Sequence, residues 1–331
     1  MSRTLILHLL AAGALLAAED SCSVLADLKA TTYSFSPAAL TRLEKNAKVK
    51  GLDRFWDLAK RDARSSAPCL RSLLQRDSKD SFFLFDASRL LWTIDKSKAS
   101  APVIAEALAH VNLEDVKPYD YVALAIEVAN QGADTVAAAL NFARAAHVSE
   151  YAAGAGTIMN REEGIVLLFG LMPEDVAVKQ AIAIHQSGDA ASPYALLALA
   201  LALKPEALAY LRKDGIALTA PAMIQRQVSM LGNGVVKRSK EAAPMSRSQL
   251  IPLLKRAPDY PEGSSGPYGN DSFLASAFSE LLPEDEALLR TARRQSISDA
   301  SPASLAQYYA YTQILQLVMT KAGMFRPPVQ K

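Results

Sequence analysis

A run of alanine and leucine that is too short for a bilayer, and that a proline cuts, sets the fold class of this chain. Ser192–Gly215 reads SPYALLALALALKPEALAYLRKDG. The apolar part stops at Lys204, well before the roughly 20 residues a membrane helix needs. Pro205 cannot continue a helix, but it fits the first position of a new one. The stretch therefore predicts two helices joined by a tight break. Alanine and leucine dominate the chain, half of its residues are hydrophobic and only 7% are aromatic. Small side chains suit closely packed helices, whereas strands favour β-branched and aromatic residues.

The same grammar precedes this stretch three times. Phe83, Ala87, Leu90 and Ile94 follow +4, +3, +4 spacing, one face of a helix. A polar break follows, and Pro102 opens a second helix carrying Ile104, Ala107, Leu108 and Val111. Tyr119–Ala146 repeats the pattern, with Gly132 to stop one helix and Asp134 to start the next. Glu162–Gly188 repeats it with Pro173 at the break. Leu108, Leu140, Ile182 and Leu208 take comparable places, at steps of about 32, 42 and 26 residues, within the span of helical-hairpin repeats. One hairpin cannot bury an apolar stripe on both helices, but stacked neighbours can. Over residues 81–232 the chain resembles HEAT-type α-solenoid repeats, although the Asp and Arg positions of such units do not recur from unit to unit. The resemblance implies an all-α fold of stacked antiparallel helix pairs, with a concave surface used for binding.

The flanks read differently. MSRTLILHLLAAGALLAAED has a basic start, an apolar stretch from Thr4 to Leu16 and small residues at Ala17–Ala18. That is the form of a secretory signal cut after about Ala18. Residues 19–80 are expected to form an N-terminal helical cap, including an amphipathic helix over Leu52–Arg64 and another over Ala67–Gln75. Residues 233–331 are expected to hold C-terminal helices around a Pro/Gly-rich loop at 258–271. Pro302 opens the last helix, whose stripe is Leu305, Tyr308, Thr312, Leu315 and Met319. An exported chain with two cysteines, Cys22 and Cys69, suggests one disulfide. It would close a loop of about 47 residues and contribute roughly 3–4 kcal/mol on a chain-entropy account.

Function is less legible. With 36 basic and 34 acidic residues the chain has no global pull toward nucleic acid. No HExxH, GxSxG, phosphate-loop or dinucleotide motif occurs, and no cofactor or metal is expected. His110, His147 and His185 fall at helix ends, where a histidine suits the carbonyl pole. Glu162–Glu163, Glu174–Asp175 and Glu284–Asp285 fall in first turns, where acids are stabilising. The basic clusters Lys237–Arg238–Lys240 and Arg290–Arg293–Arg294 are expected on solvated faces, with an acidic partner as the alternative. The candidate binding residues are Tyr260 and Tyr268 in the 258–271 loop, together with Arg293 and Arg294. The expectation is an exported (periplasmic or secreted) non-catalytic scaffold that binds a protein, with no catalytic residue assigned. The alternatives are a cell-envelope hydrolase of α/α type, which would use paired carboxylates, and a purely structural envelope protein.

Overall fold

A computed structural model describes residues 22–23, 52–76, 81–113, 116–145, 161–189, 192–213, 245–255, 276–277, 279–300 and 302–323. Among them every regular element is helical, and none is both long and apolar enough to cross a membrane. The expected signal at 1–18, the 258–271 loop with Tyr260 and Tyr268, the basic cluster at 237–240 and His147 lie outside the described residues. The chain divides into two compact units, Met1–Asp115 and Val116–Lys331.

The first unit holds α1 (Leu52–Arg61), α2 (Ala63–Arg76), α3 (Ser81–Ile94) and α4 (Ala101–Leu108). The second helix starts four residues before the expected Ala67. Asp62 explains the difference, since its carboxylate accepts the Ser65 amide at 3.3 Å and also binds the Ser65 hydroxyl. Packing is sequential: α2 against α1, α3 against α2, and α4 against both α2 and α3. Leu70, Leu84, Leu91, Ile104 and Leu108 are fully enclosed. The α3 core is wider than its expected stripe, because Leu84, Phe85, Leu91 and Trp92 are buried as well as Ala87 and Leu90. The Cys22–Cys69 disulfide is present, with its Cα atoms 5.7 Å apart, and it fastens the N-terminal segment to α2.

The second unit contains α5 (Pro118–Asn130), α6 (Val136–Arg144), α7 (Arg161–Leu171), α8 (Glu174–Gln186), α9 (Ser192–Ala202) and α10 (Pro205–Lys213). It continues with α11 (Arg247–Lys255), a 3-10 turn at Pro283–Asp285, α12 (Glu286–Gln295) and α13 (Pro302–Lys321). The expected punctuation is visible at α5 and α6. Gly132 takes φ +90°, and the Asp134 carboxylate accepts the Val136 amide at 2.9 Å. Tyr121 and Phe142 stack at 5.5 Å across this hairpin, and the buried Tyr121 hydroxyl donates to the Ala138 carbonyl at 2.8 Å.

The most extensive helix packing in the second unit joins α8 to α9, rather than the two helices of one expected hairpin. Ala177 and Ala181 on α8, and Ala195, Ala198 and Ala202 on α9, are all buried. Small side chains of this kind allow two helix backbones to approach. No described residue of α9 is exposed. Its end departs from the common pattern. Leu203, not glycine, takes φ +52°, which costs a non-glycine residue about 1–2 kcal/mol. Leu203 is also buried, in a cluster with Leu208, Leu250, Leu254, Leu289 and Ile314. Burying such a side chain contributes about 1.5–3 kcal/mol, enough to offset the strain.

The last helix is buried along its expected stripe: Leu305, Tyr308, Thr312, Leu315 and Met319 are all enclosed. Tyr309 and Tyr311 are enclosed too, so the tyrosine cluster is core.

Candidate functional site

The chemistry of the second unit gathers where α12 meets the ends of three other helices. Two carbonyl poles are exposed to it, those of α7 and α9. A helix leaves its last four carbonyls without an intrahelical partner, and inside a protein these need donors. The arginines of α12 supply them. Spaced i, i+3 and i+4, Arg290, Arg293 and Arg294 fall on neighbouring parts of one helical face.

Arg293 donates to the Leu201 carbonyl at 2.7 Å and to the Thr312 hydroxyl at 3.4 Å. Arg290 donates to the Ala202 and Leu203 carbonyls, both at 3.0 Å. Arg294 donates through Nε to the Leu171 carbonyl at 3.1 Å. One helix thus caps α9 with two guanidinium groups and α7 with a third, and the positive charges sit where the helix dipoles favour them.

Glu174, the first residue of α8, holds this cluster together. Its carboxylate accepts from Arg293 at 2.7 Å, from Arg290 at 2.9 Å and from Lys204 at 2.9 Å. Burial pushes the Glu174 carboxyl up. The Arg293 charge, the Lys204 hydrogen bond and the Arg290 charge outweigh that and hold it below the usual carboxylate range. Arg293 is 3% exposed, and its guanidinium lies 5.3 Å from the Tyr308 ring centre. Glu286 accepts the Nε of Arg290 at 2.9 Å, one helical turn away.

The expectation of a solvated basic face at Arg290–Arg293–Arg294 is therefore corrected: the Arg293 side chain is enclosed and that of Arg290 is 11% exposed. The sequence reading missed it because the carbonyls that bind these arginines come from residues about 90 to 120 positions away, as from Leu201 to Arg293. Glu174 was expected only to favour a helix start. It does occupy a first turn, but it also anchors the arginines.

Beside this network lies an open-sided cavity of about 510 Å³. Val166, Phe169, Ala177, Ala198 and Leu201 give it an apolar wall, and Arg290, Arg293, Arg294 and Gln295 line the polar side. Gly170 forms part of the wall. A Cβ there would meet Ile297 at 2.7 Å and the Tyr308 ring of α13 at 2.8 Å, so any larger residue must displace one or both side chains. Two of the sequence candidates, Arg293 and Arg294, come together here. Arg293 is committed to its neighbours. Arg294 is half-buried, and burial pushes its guanidinium pKa down from an ordinary value far above neutrality. Its two terminal nitrogens take no partner among the described residues.

The remaining candidates have structural surroundings. Asp285 accepts the Leu282 amide at 2.9 Å and pairs with Arg247 at 2.6 Å, which ties α11 to the start of α12. His185, in the last turn of α8, meets the Tyr210 hydroxyl at 2.7 Å. His110, just after α4, lies 3.2 Å from Glu106. Among the described residues no group of three histidine, cysteine, aspartate or glutamate side chains could hold a metal ion.

No family model matches this chain, and no curated protein or solved structure matches it.

Proposed function

We infer that this chain is an exported, non-catalytic binding protein whose helix pairs stack as an α-solenoid of HEAT-like type, and that its partner is a protein. One observation carries the reading. Glu174, the one carboxylate among the described residues that line the cavity, is held ionised by Arg293, Lys204 and Arg290, and so is poorly placed to give a proton. Arg290 and Arg293 beside it are already bonded to a helix end, as in a rigid receptor, while the apolar wall and the open face leave room for a ligand. The disulfide agrees with an oxidising compartment and supports export. Sequential packing of neighbouring helices supports repeat stacking.

Cross-linking the chain in the cells that make it, followed by mass spectrometry, tests this reading. The expected result is a defined protein partner that is lost when Ala198→Trp fills the cavity. Turnover of a hydrolase substrate by the purified chain, abolished by Glu174→Gln with the fold intact, would overturn it in favour of an α/α-type envelope hydrolase. Neither a partner nor turnover would leave a structural envelope protein.

A further inference from the structure

We propose that the cavity beside α12 is a receptor for the carboxylate end of a protein chain that finishes in apolar residues, with Arg294 as the group that binds the carboxylate. The inference rests on the reading of this chain as a protein-binding module, and it names the feature of the partner that is bound.

Charge is the first argument. Arg290, Arg293 and Lys204 pair with Glu174, and Arg290 also with Glu286, while Arg294 lines the same cavity without a carboxylate partner among the described residues, so cations are in excess. The N-terminal end of α8 adds its positive pole through Pro173 and Glu174, which also line the cavity. The excess is located on one side chain. Arg290 and Arg293 spend their terminal nitrogens on carbonyls and on Glu174, but Arg294 binds Leu171 through Nε alone. That single bond leaves both terminal nitrogens for a ligand. Two parallel N–H donors match a carboxylate in a fork arrangement.

The shape of the site supplies the second argument. A volume of about 510 Å³ falls within the range of small-ligand sites. Val166, Phe169, Ala177, Ala198 and Leu201 would enclose an aliphatic side chain next to the bound carboxylate. A simple inorganic anion would leave that wall unused. Gln295, exposed on the rim with no partner among the described residues, offers an amide donor and acceptor suited to a peptide bond. An alkyl acid carries no group to answer it. The open side lets the rest of the partner's chain leave the site.

Fluorescence polarisation with the full mature chain tests this. The probe is a labelled peptide ending in two leucines with a free carboxylate. The comparisons are the same peptide as its terminal amide, and decanoate as competitor. The acid is expected to bind about ten-fold or more tightly than the amide. Arg294→Gln should erase that difference while amide binding persists; because it also removes the donor to the Leu171 carbonyl, its melting temperature should fall, and helical circular dichroism at the assay temperature shows that the variant is folded. Ala198→Met should weaken acid and amide together. Equal binding of acid and amide, an undiminished preference in Arg294→Gln, or no binding at millimolar peptide would overturn the proposal. So would displacement of the peptide by decanoate at lower concentration than by the unlabelled peptide itself, which would make the site a receptor for alkyl acids. A cross-linked protein partner retained equally by Arg294→Gln would sink this inference and leave the broader binding function standing.

Discussion

Each unit of the molecule contains a junction in which an arginine meets a carboxylate near a helix break, and the two are built differently. In the first unit Arg71, from α2, reaches Asp95 at 2.5 Å, just past the end of α3. Ser97 and Ser100 donate to the same carboxylate at 3.0 and 2.6 Å. Both charged side chains remain about a quarter exposed. In the second unit Arg293 is enclosed, Glu174 takes three cations, and the arginines continue past it to the carbonyls of two helices. A surface junction organises a turn. An interior junction must also satisfy the main chain, because water cannot do so there. The difference also shows how a site can arise. Among the described residues the interior junction gathers more cations than carboxylates, and a cavity lies beside it.

The sharpest way to break the contrast is Arg293→Ala. It strands the Leu201 carbonyl and removes a partner from a part-buried carboxylate, a change that costs about 3–5 kcal/mol when an enclosed ion pair is broken. Both tryptophans, Trp56 and Trp92, belong to the first unit, so their fluorescence follows that unit alone. The expected outcome is early loss of far-ultraviolet helix signal with little change in the tryptophan transition. Simultaneous loss of both signals would show that the two units unfold as one.

The first unit has a covalent counterpart. Opening the Cys22–Cys69 bridge with Cys22→Ser and Cys69→Ser frees a 47-residue loop in the unfolded chain. The expected loss is about 3–4 kcal/mol on the chain-entropy account, read in the tryptophan transition. An unchanged tryptophan midpoint would mean that the residues of the loop are not held together by folding.

Gly170→Ala probes the wall between the two helices that frame the cavity. The added methyl must displace Ile297 and Tyr308, and overpacking of this kind costs about 1–3 kcal/mol. Because Tyr308 lies against Arg293, the same change should also weaken ligand binding in the cavity. A variant as stable as the wild type would show that α13 can slide away freely.

What could be read from the sequence followed its local order. Proline at 102, 173 and 205, glycine at 132, and the stripe of α13 are instructions carried by neighbouring residues, and the helices obey them. Two things were not local. The pairing of α8 with α9 depends on which alanine faces meet, and a +3, +4 pattern gives each helix a face without giving it a neighbour. The arginine site depends on the Leu171, Leu201, Ala202 and Leu203 carbonyls, which carry no residue-specific mark. Arg290, Arg293 and Arg294 were visible as a cluster, but a solvated face and a buried cap have the same spacing. The one available signal was the count of helix ends: a chain of many short helices presents many orphan carbonyls, and a cluster of arginines is a supply of donors.

The smallest effect is expected at the surface junction. Arg71→Ala removes one of three donors to Asp95 and leaves Ser97 and Ser100 in place. Part-exposed pairs contribute about 0–1 kcal/mol, so the tryptophan transition should shift by no more than that. Its pH dependence separates the serines from the arginine. Burial pushes the Asp95 carboxyl up, but the Ser100 and Ser97 hydrogen bonds, with the Arg71 charge behind them, hold it below its ordinary value. A carboxyl lowered in the folded state adds stability above its unfolded pKa of about 3.9, and that stability is lost as pH falls through the lower folded value. Since the Ser100 hydrogen bond leads the groups that lower it, Ser100→Ala should reduce this acid sensitivity, and Arg71→Ala, with both hydroxyls still in place, should retain part of it. At Glu174 the order is reversed: the Arg293 charge leads among the groups that lower the pKa, and Arg293→Ala should reduce the part of the second unit's acid sensitivity that Glu174 contributes. If Arg71→Ala flattened the acid limb of the first unit as Arg293→Ala does in the second, the two junctions would be one device at two depths, and the distinction between organising a turn and satisfying an interior main chain would fall.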